Sequence, residues 1–156
     1  MKKLILFFAL ILIGNLALAQ YQGQFRLQYG NDMGFSSGLF GMNIGGEYFP
    51  VDQISFAPNL SVLFPETGKA SNLHLDARYY FTDDKLELYA LLGYANFRRR
   101  YEFNPEKTYE NTGTMNIGAG VLYKFIEELG LNAEIKLQPQ NYNEFIIKLG
   151  ISYFIN

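Results

Sequence analysis

The sequence predicts an all-β fold of eight antiparallel strands running up and down in chain order, and three observations support it. Apolar and polar residues alternate with a period of two along eight separate runs. Successive side chains of a strand point to opposite faces, so each run has one apolar and one polar face. The connections alternate between short acidic turns and longer polar stretches. The composition suits strands: the 156 residues include 14 Phe, 12 Tyr and 15 Gly, with 49% hydrophobic and 18% charged residues. That is too apolar for disorder and gives a prior of one domain.

Composition also excludes functions. The chain has no cysteine, which rules out a disulfide scaffold, a thiolate nucleophile and Cys-ligated zinc or iron–sulfur sites. A net charge of -2 and a pI of about 5.4 lack the basic footprint of a nucleic-acid-binding domain, so no nucleic-acid partner is expected. With one histidine and no cysteine, no transition-metal site and no cofactor are expected either.

Residues 1–19 read as a cleaved secretory signal peptide and residues 20–156 as the folded domain. Lys2 and Lys3 form a basic start, and Leu4 to Ile13 is an uninterrupted apolar run. Gly14-Asn15 breaks the helix before the small-residue site Ala17-Leu18-Ala19. The apolar run is short for a membrane anchor, and Gln20 stands where a lipoprotein would carry cysteine. Losing Lys2 and Lys3 moves the net charge from -2 to -4.

The strand runs follow in order. The first, 21–29, alternates Tyr21, Gly23, Phe25, Leu27 and Tyr29 with Gln22, Gln24, Arg26 and Gln28. The others are 40–49, 54–64, 71–81, 86–97, 113–125, 129–138 and 145–155. The apolar phase of every run is free of charge. The opposite phase holds Arg26, Glu47, Asp76, Arg78, Glu87, Lys124, Glu134, Lys136 and Lys148. The fifth run is the least regular, with Tyr89 and Leu91 on its nominally polar side. Short turns are expected at 50–53, 82–85 and 126–128, and longer loops at 30–39, 65–70, 98–112 and 138–144.

Short turns at one end and longer loops at the other are the layout of a transmembrane β-barrel, which turns its apolar face to lipid and packs its polar face inside. Gly41, Gly45, Gly93, Gly118, Gly120, Gly130 and Gly150 fall on or beside the polar phase, where small residues relieve crowding in a narrow barrel. Aromatics cluster at the run ends: Tyr21, Tyr48, Phe49, Tyr79, Phe81, Tyr123, Phe125 and Tyr153 toward the short turns, and Tyr29, Phe40, Phe64, Tyr94, Phe97 and Phe145 toward the loops. Two such belts suit the headgroup levels of a bilayer.

From Tyr21 onward the chain resembles the small eight-stranded outer-membrane β-barrel proteins of the outer-membrane-protein X and A-barrel kind. Its closing segment carries Lys148, Gly150, Tyr153 and Ile155 in the spacing of the terminal assembly signal of such barrels, although Ile155-Asn156 follow the aromatic Phe154 that often ends the family's chains. The resemblance implies integral outer-membrane localisation in a Gram-negative-type envelope, contact with lipid and lipopolysaccharide, and recognition of the last strand by the barrel-assembly machinery. Architecture alone assigns no further function.

Two constellations are candidate sites. Five inward cations (Arg26, Arg78, Lys124, Lys136, Lys148) face four inward anions (Glu47, Asp76, Glu87, Glu134), beside His74, which predicts a paired network filling the lumen. His74, with an inward serine (Ser55, Ser61 or Ser152) and Asp76, is also the one combination from which a hydrolase could be assembled. Arg98-Arg99-Arg100 leads into the longest loop, where the arginines either meet lipopolysaccharide phosphates or form part of a solvated loop. The reading that follows is a non-enzymatic outer-membrane barrel with an envelope-structural or surface-interaction role through its extracellular loops. The alternatives are a narrow channel or a small-solute or lipid-binding barrel, then a lipid A-modifying enzyme. A secreted lipocalin-like barrel would instead need an apolar interior.

Overall fold

The computed structural model describes residues 22–103, 106 and 109–155; the signal-peptide reading of residues 1–19 and the belt position of Tyr21 lie outside them. Eight strands follow one another: β1 Phe25–Gly34, β2 Phe40–Val51, β3 Ile54–Leu63, β4 Lys69–Tyr80, β5 Leu86–Arg100, β6 Glu110–Lys124, β7 Leu129–Gln138 and β8 Glu144–Ile155. Each pairs antiparallel with its neighbours in sequence. β8 also pairs with β1, from Phe25↔Ile155 to Gly34↔Ile146, closing the barrel.

The period-two pattern sorts side chains as the sequence requires, with the apolar phase outside. Leu27, Ile44, Leu60, Leu73, Leu92, Ile117, Ile135 and Ile151 all stand on the exposed surface. The polar phase is buried: Arg26, Glu47, His74, Asp76, Glu87, Glu134, Lys136 and Lys148 are at most 1% exposed. A soluble sandwich or lipocalin-like barrel requires the reverse. Water would penalise such a greasy exterior heavily, and hydrocarbon would not.

The strands run further toward the long-loop end than their composition suggests. Gly30-Asn31-Asp32-Met33-Gly34 has the composition of a loop, yet it continues β1, because both neighbouring strands offer a full ladder and the alternation persists. β5 likewise extends through Arg100, paired with Lys69 of β4, and β6 starts at Glu110. The connections at this end are therefore 35–39, 64–68, 101–109 and 139–143, against 52–53, 81–85 and 125–128 at the other. The two ends differ less than expected, and only 101–109 is long.

The aromatic belts need three corrections. Phe49 is fully buried inside the barrel because it has the inward phase of β2. Phe97 has the inward phase of β5 and lines the mouth of the lumen. Tyr29 pairs with Ile44 and Ile151 and sits in mid-strand, since β1 continues past it. Tyr48, Phe81, Tyr123, Phe125 and Tyr153 are exposed toward the short turns, and Phe40, Phe64 and Phe145 toward the loops.

Ile117, midway along β6, and Tyr153, near the end of β8, test this orientation. In a bilayer, Ile117→Arg is expected to cost about 2–4 kcal/mol and Tyr153→Arg about 0–1 kcal/mol. Denaturant titrations in lipid vesicles measure both. Equal costs would contradict a membrane midplane at Ile117.

Candidate functional site

The alternation places one chain of polar contacts along the lumen. At the short-turn end, Arg26 forks onto Glu87, with Nη1–Oε2 at 2.8 Å and Nη2–Oε1 at 3.3 Å, and Lys124 pairs with the same carboxylate. Arg26 also lies between aromatic faces, 4.4 Å from the Phe49 centroid and 4.7 Å from that of Phe154. Glu47 is held by Arg78 at 3.2 Å, by the Tyr80 hydroxyl at 2.7 Å and by Gln28 at 2.9 Å. Arg78 reaches across to Glu134 at 2.7 Å, and Glu134 also accepts from the Tyr89 hydroxyl at 2.8 Å. Lys136 joins Glu134 at 2.9 Å to Asp76 at 2.6 Å. Beyond Asp76, Asn116, Gln138 and Asn141 continue the chain of hydrogen bonds toward the long-loop mouth.

Nine of the ten residues assigned to this network take part through ion pairs or hydrogen bonds. Lys148 is the exception: its Nζ is buried with no hydrogen-bonding partner, although its strand neighbours are Asp32 and Glu134. Among the described residues, two buried carboxylates lie outside the expected set. Asp32 accepts from Ser61. Glu144 accepts from the backbone N–H groups of Ser36 at 2.8 Å and Ser37 at 3.0 Å, tying connection 35–39 to the start of β8. The loop-like composition of residues 30–34 hides Asp32 in the sequence, and the ladders to Gly41 on β2 and Lys148 on β8 place it inward.

A packed aromatic layer shares the short-turn half. Phe49, Tyr80, Tyr89, Leu91, Leu122 and Phe154 form one buried cluster, with ring centroids 5.3 Å apart for Phe49–Tyr80 and 4.9 Å for Tyr80–Tyr89. The irregular phase of the fifth run thus has a structural reason, because Tyr89 and Leu91 fill the lumen. Gly120, opposite Tyr89 on β6, makes this fit: a Cβ there would meet Tyr89 Cε2 at 2.7 Å.

The structure brings His74 and Ser61 together but arranges them against nucleophilic catalysis. His74 Nδ1 faces the Asn116 amide nitrogen, a donor, at 3.0 Å and therefore accepts from it. The ring proton is then on Nε2, which faces Ser61 Oγ at 3.3 Å as a donor. Ser61 gives its own proton to Asp32. Attack by serine needs the opposite, an imidazole lone pair aimed at the hydroxyl and a carboxylate behind the ring. Asp76 instead faces Asn116 and Lys136. The cavity beside Asp32 and Ser61 is about 20 Å³, room for about one water.

The three arginines do not act as one cluster, because β5 remains a strand through them. Arg98 and Arg100 share the outward phase of Leu92 and Tyr94. Arg99 shares the inward phase of Phe97 and lines a 160 Å³ hollow at the mouth with Tyr101, Tyr142 and Glu144. Of the terminal segment, Lys148 and Gly150 have the inward phase of β8, while Tyr153 and Ile155 are exposed on the outer wall.

No protein-family model and no curated protein matches the chain. Solved structures do. The N-terminal β-barrel domain of Pseudomonas aeruginosa OprF aligns with a TM-score of 0.74 at 24% identity, over 87% of this chain and 100% of that one. The outer membrane protein OprG of the same organism aligns with a TM-score of 0.67 at 11% identity, over 88% and 98%. The attachment invasion locus protein Ail of Yersinia pestis aligns with a TM-score of 0.64 at 14% identity, over 86% and 99%. The fold is that of the small eight-stranded integral outer-membrane β-barrels.

Arg78 and Lys148 make contrasting tests of the lumen. Arg78→Met removes the buried guanidinium that Glu134 and Glu47 share, leaving Glu47 with Arg26 at 3.9 Å as its remaining cation, and is expected to cost about 3–5 kcal/mol. Lys148→Met removes a cation that no protein group bonds and is expected to cost clearly less. Urea unfolding of both variants in lipid measures the difference, and equal losses would contradict the network's unequal division of labour.

Proposed function

We propose that this chain is a sealed integral outer-membrane barrel with a structural role in the envelope, working without catalysis and without an open diffusion pore. The observation that carries the reading is the unbroken line of buried ion pairs from Arg26–Glu87 through Glu47, Arg78, Glu134 and Lys136 to Asp76, backed by the aromatic layer around Tyr80. An eight-stranded interior is just wide enough for side chains, and here they occupy it. The reversed polarity of His74 and Ser61 supports the absence of catalysis. Export through residues 1–19 and recognition of β8 by the barrel-assembly machinery complete the reading. Tyr153 and Ile155, exposed side by side on the outer wall, are the surface such recognition would use.

A surface-interaction role is favoured by a separate observation. Phe103 and Tyr142 are each 86% exposed in the connections of the long-loop end, where they meet water rather than lipid. Exposed aromatics at a membrane protein's outer rim suit contact with a partner.

Cell fractionation with heat-modifiable gel mobility tests the barrel. The folded protein is expected in the outer-membrane fraction, with a mobility that changes on boiling. Planar-bilayer recordings test the seal. Wild type is expected to give no steps on the scale of a diffusion pore, and Tyr80→Ala/Tyr89→Ala to raise the conductance. Pore-scale steps from wild type would refute the sealed lumen.

A further inference from the structure

At the long-loop end of β4–β5, three cations stand on one patch of the outer wall. Lys69 and Arg100 are direct cross-strand partners, and Arg98 lies two residues along, opposite Ser71 on β4 and Asn111 on β6. All three have the outward phase of their strands. Like charges placed directly opposite each other destabilise a sheet, so the pair needs compensation. Among the described residues, none of the three joins an ion pair. The Arg100 guanidinium carbon lies 5.5 Å from the centroid of the Tyr109 ring.

The surroundings are amphiphilic. Val62, exposed by 48%, stands level with Ser71 and Arg98 in the ladder, Phe64, exposed by 56%, follows at the end of β3, and Tyr94, exposed by 50%, lies four residues along β5 from Arg98. An outer groove of about 470 Å³ runs from Val62 and Phe64 past Lys69 and Ser71 to Tyr109. On their loop side Lys69 and Arg100 share a hollow with Glu66 and Glu102, without an ion pair to either. No carboxylate has the outward phase of β4, β5 or β6, so the strand side, among Lys69, Arg98 and Arg100, is the electropositive seat.

We propose that Lys69, Arg98 and Arg100 seat the phosphate of an outer-leaflet lipid headgroup, whose acyl chain lies along Val62 and Phe64. A phosphate between Lys69 and Arg100 turns a repulsive cross-strand pair into two charge-assisted contacts. The headgroup level, with its intermediate polarity, makes these contacts stronger than they are in bulk water. Arg99 has no part in the seat, since it turns into the lumen mouth. The proposal rests on the outer-membrane reading and adds a specific lipid contact to it.

The test uses the full folded barrel in detergent micelles with lipid A, in its phosphorylated and its dephosphorylated form, as the probe. Wild type is expected to retain the phosphorylated form preferentially, with a preference that weakens as salt rises. The triple variant Lys69→Gln/Arg98→Gln/Arg100→Gln is expected to retain about tenfold less, equivalent to about 1.4 kcal/mol. Arg99→Gln is expected to match wild type. Inorganic phosphate in millimolar excess should displace little of the lipid, because it lacks the chain that fills the groove. The proposal is overturned if the triple variant retains as much as wild type, if Arg99→Gln loses as much as the triple, if dephosphorylation has no effect, or if free phosphate competes fully. Gel mobility of the same samples separates the two readings: a chain without the heat-dependent shift overturns both, and a shifted chain without phosphate preference overturns this one alone.

Discussion

Closure of the sheet is the constraint from which the rest follows. In hydrocarbon a backbone N–H or C=O has no water to bond, so a sheet can span it only by pairing its last strand with its first. The β1–β8 ladder does this. With eight strands, closure leaves an interior only as wide as side chains, and every inward residue must then find its partner inside. The usual arrangement of a folded chain is inverted: the exterior gains nothing from leaving the solvent, and the interior carries the specific contacts.

That inversion explains the composition of the lumen. An isolated buried charge is costly, whereas a charge held by several oriented partners is tolerated. Glu47 and Glu134 each have an arginine and a tyrosine hydroxyl as partners, and Glu134 has Lys136 as well. The aromatic rings serve two purposes, since Phe49 and Phe154 flank the Arg26 guanidinium while filling volume. Glycine supplies the remaining freedom. Gly93 leaves space for Asp76 as Gly120 does for Tyr89, so the wall is thin where the filling is bulky.

Much of the fold was legible in the sequence because period-two alternation is strict when one face meets lipid and the other a packed interior. The inward phase of Glu47, Asp76, Arg78, Glu134 and Lys136 follows from it directly. The harder cases involve competing local signals. Gly30-Asn31-Asp32 has turn chemistry, and only the ladders on both sides make it strand, which hid Asp32 among loop residues. Phe49 sits beside Tyr48 at a strand end, where composition suggests a headgroup belt and parity decides otherwise. Arg98-Arg99-Arg100 looks like one basic cluster until the strand is seen to continue through it, sending Arg99 inward and bringing Lys69 alongside its neighbours. Which serine approaches His74, and with what polarity, depends on the stagger between β3, β4 and β6, which no single run encodes.

The β1–β8 ladder also bears on how the barrel comes into being. Its partners stand at opposite ends of the described chain, so the contacts that finish the ring are the most distant in sequence. Forming them incurs the largest loop-closure entropy, and folding dominated by non-local pairing is slow. Until β8 docks, β1 presents an unpaired edge and the half-formed wall exposes a broad apolar surface, both open to association with other chains. The hazard therefore belongs to the time before closure rather than to the finished molecule. Delivery of the chain to its membrane has to outpace encounters between unfinished sheets.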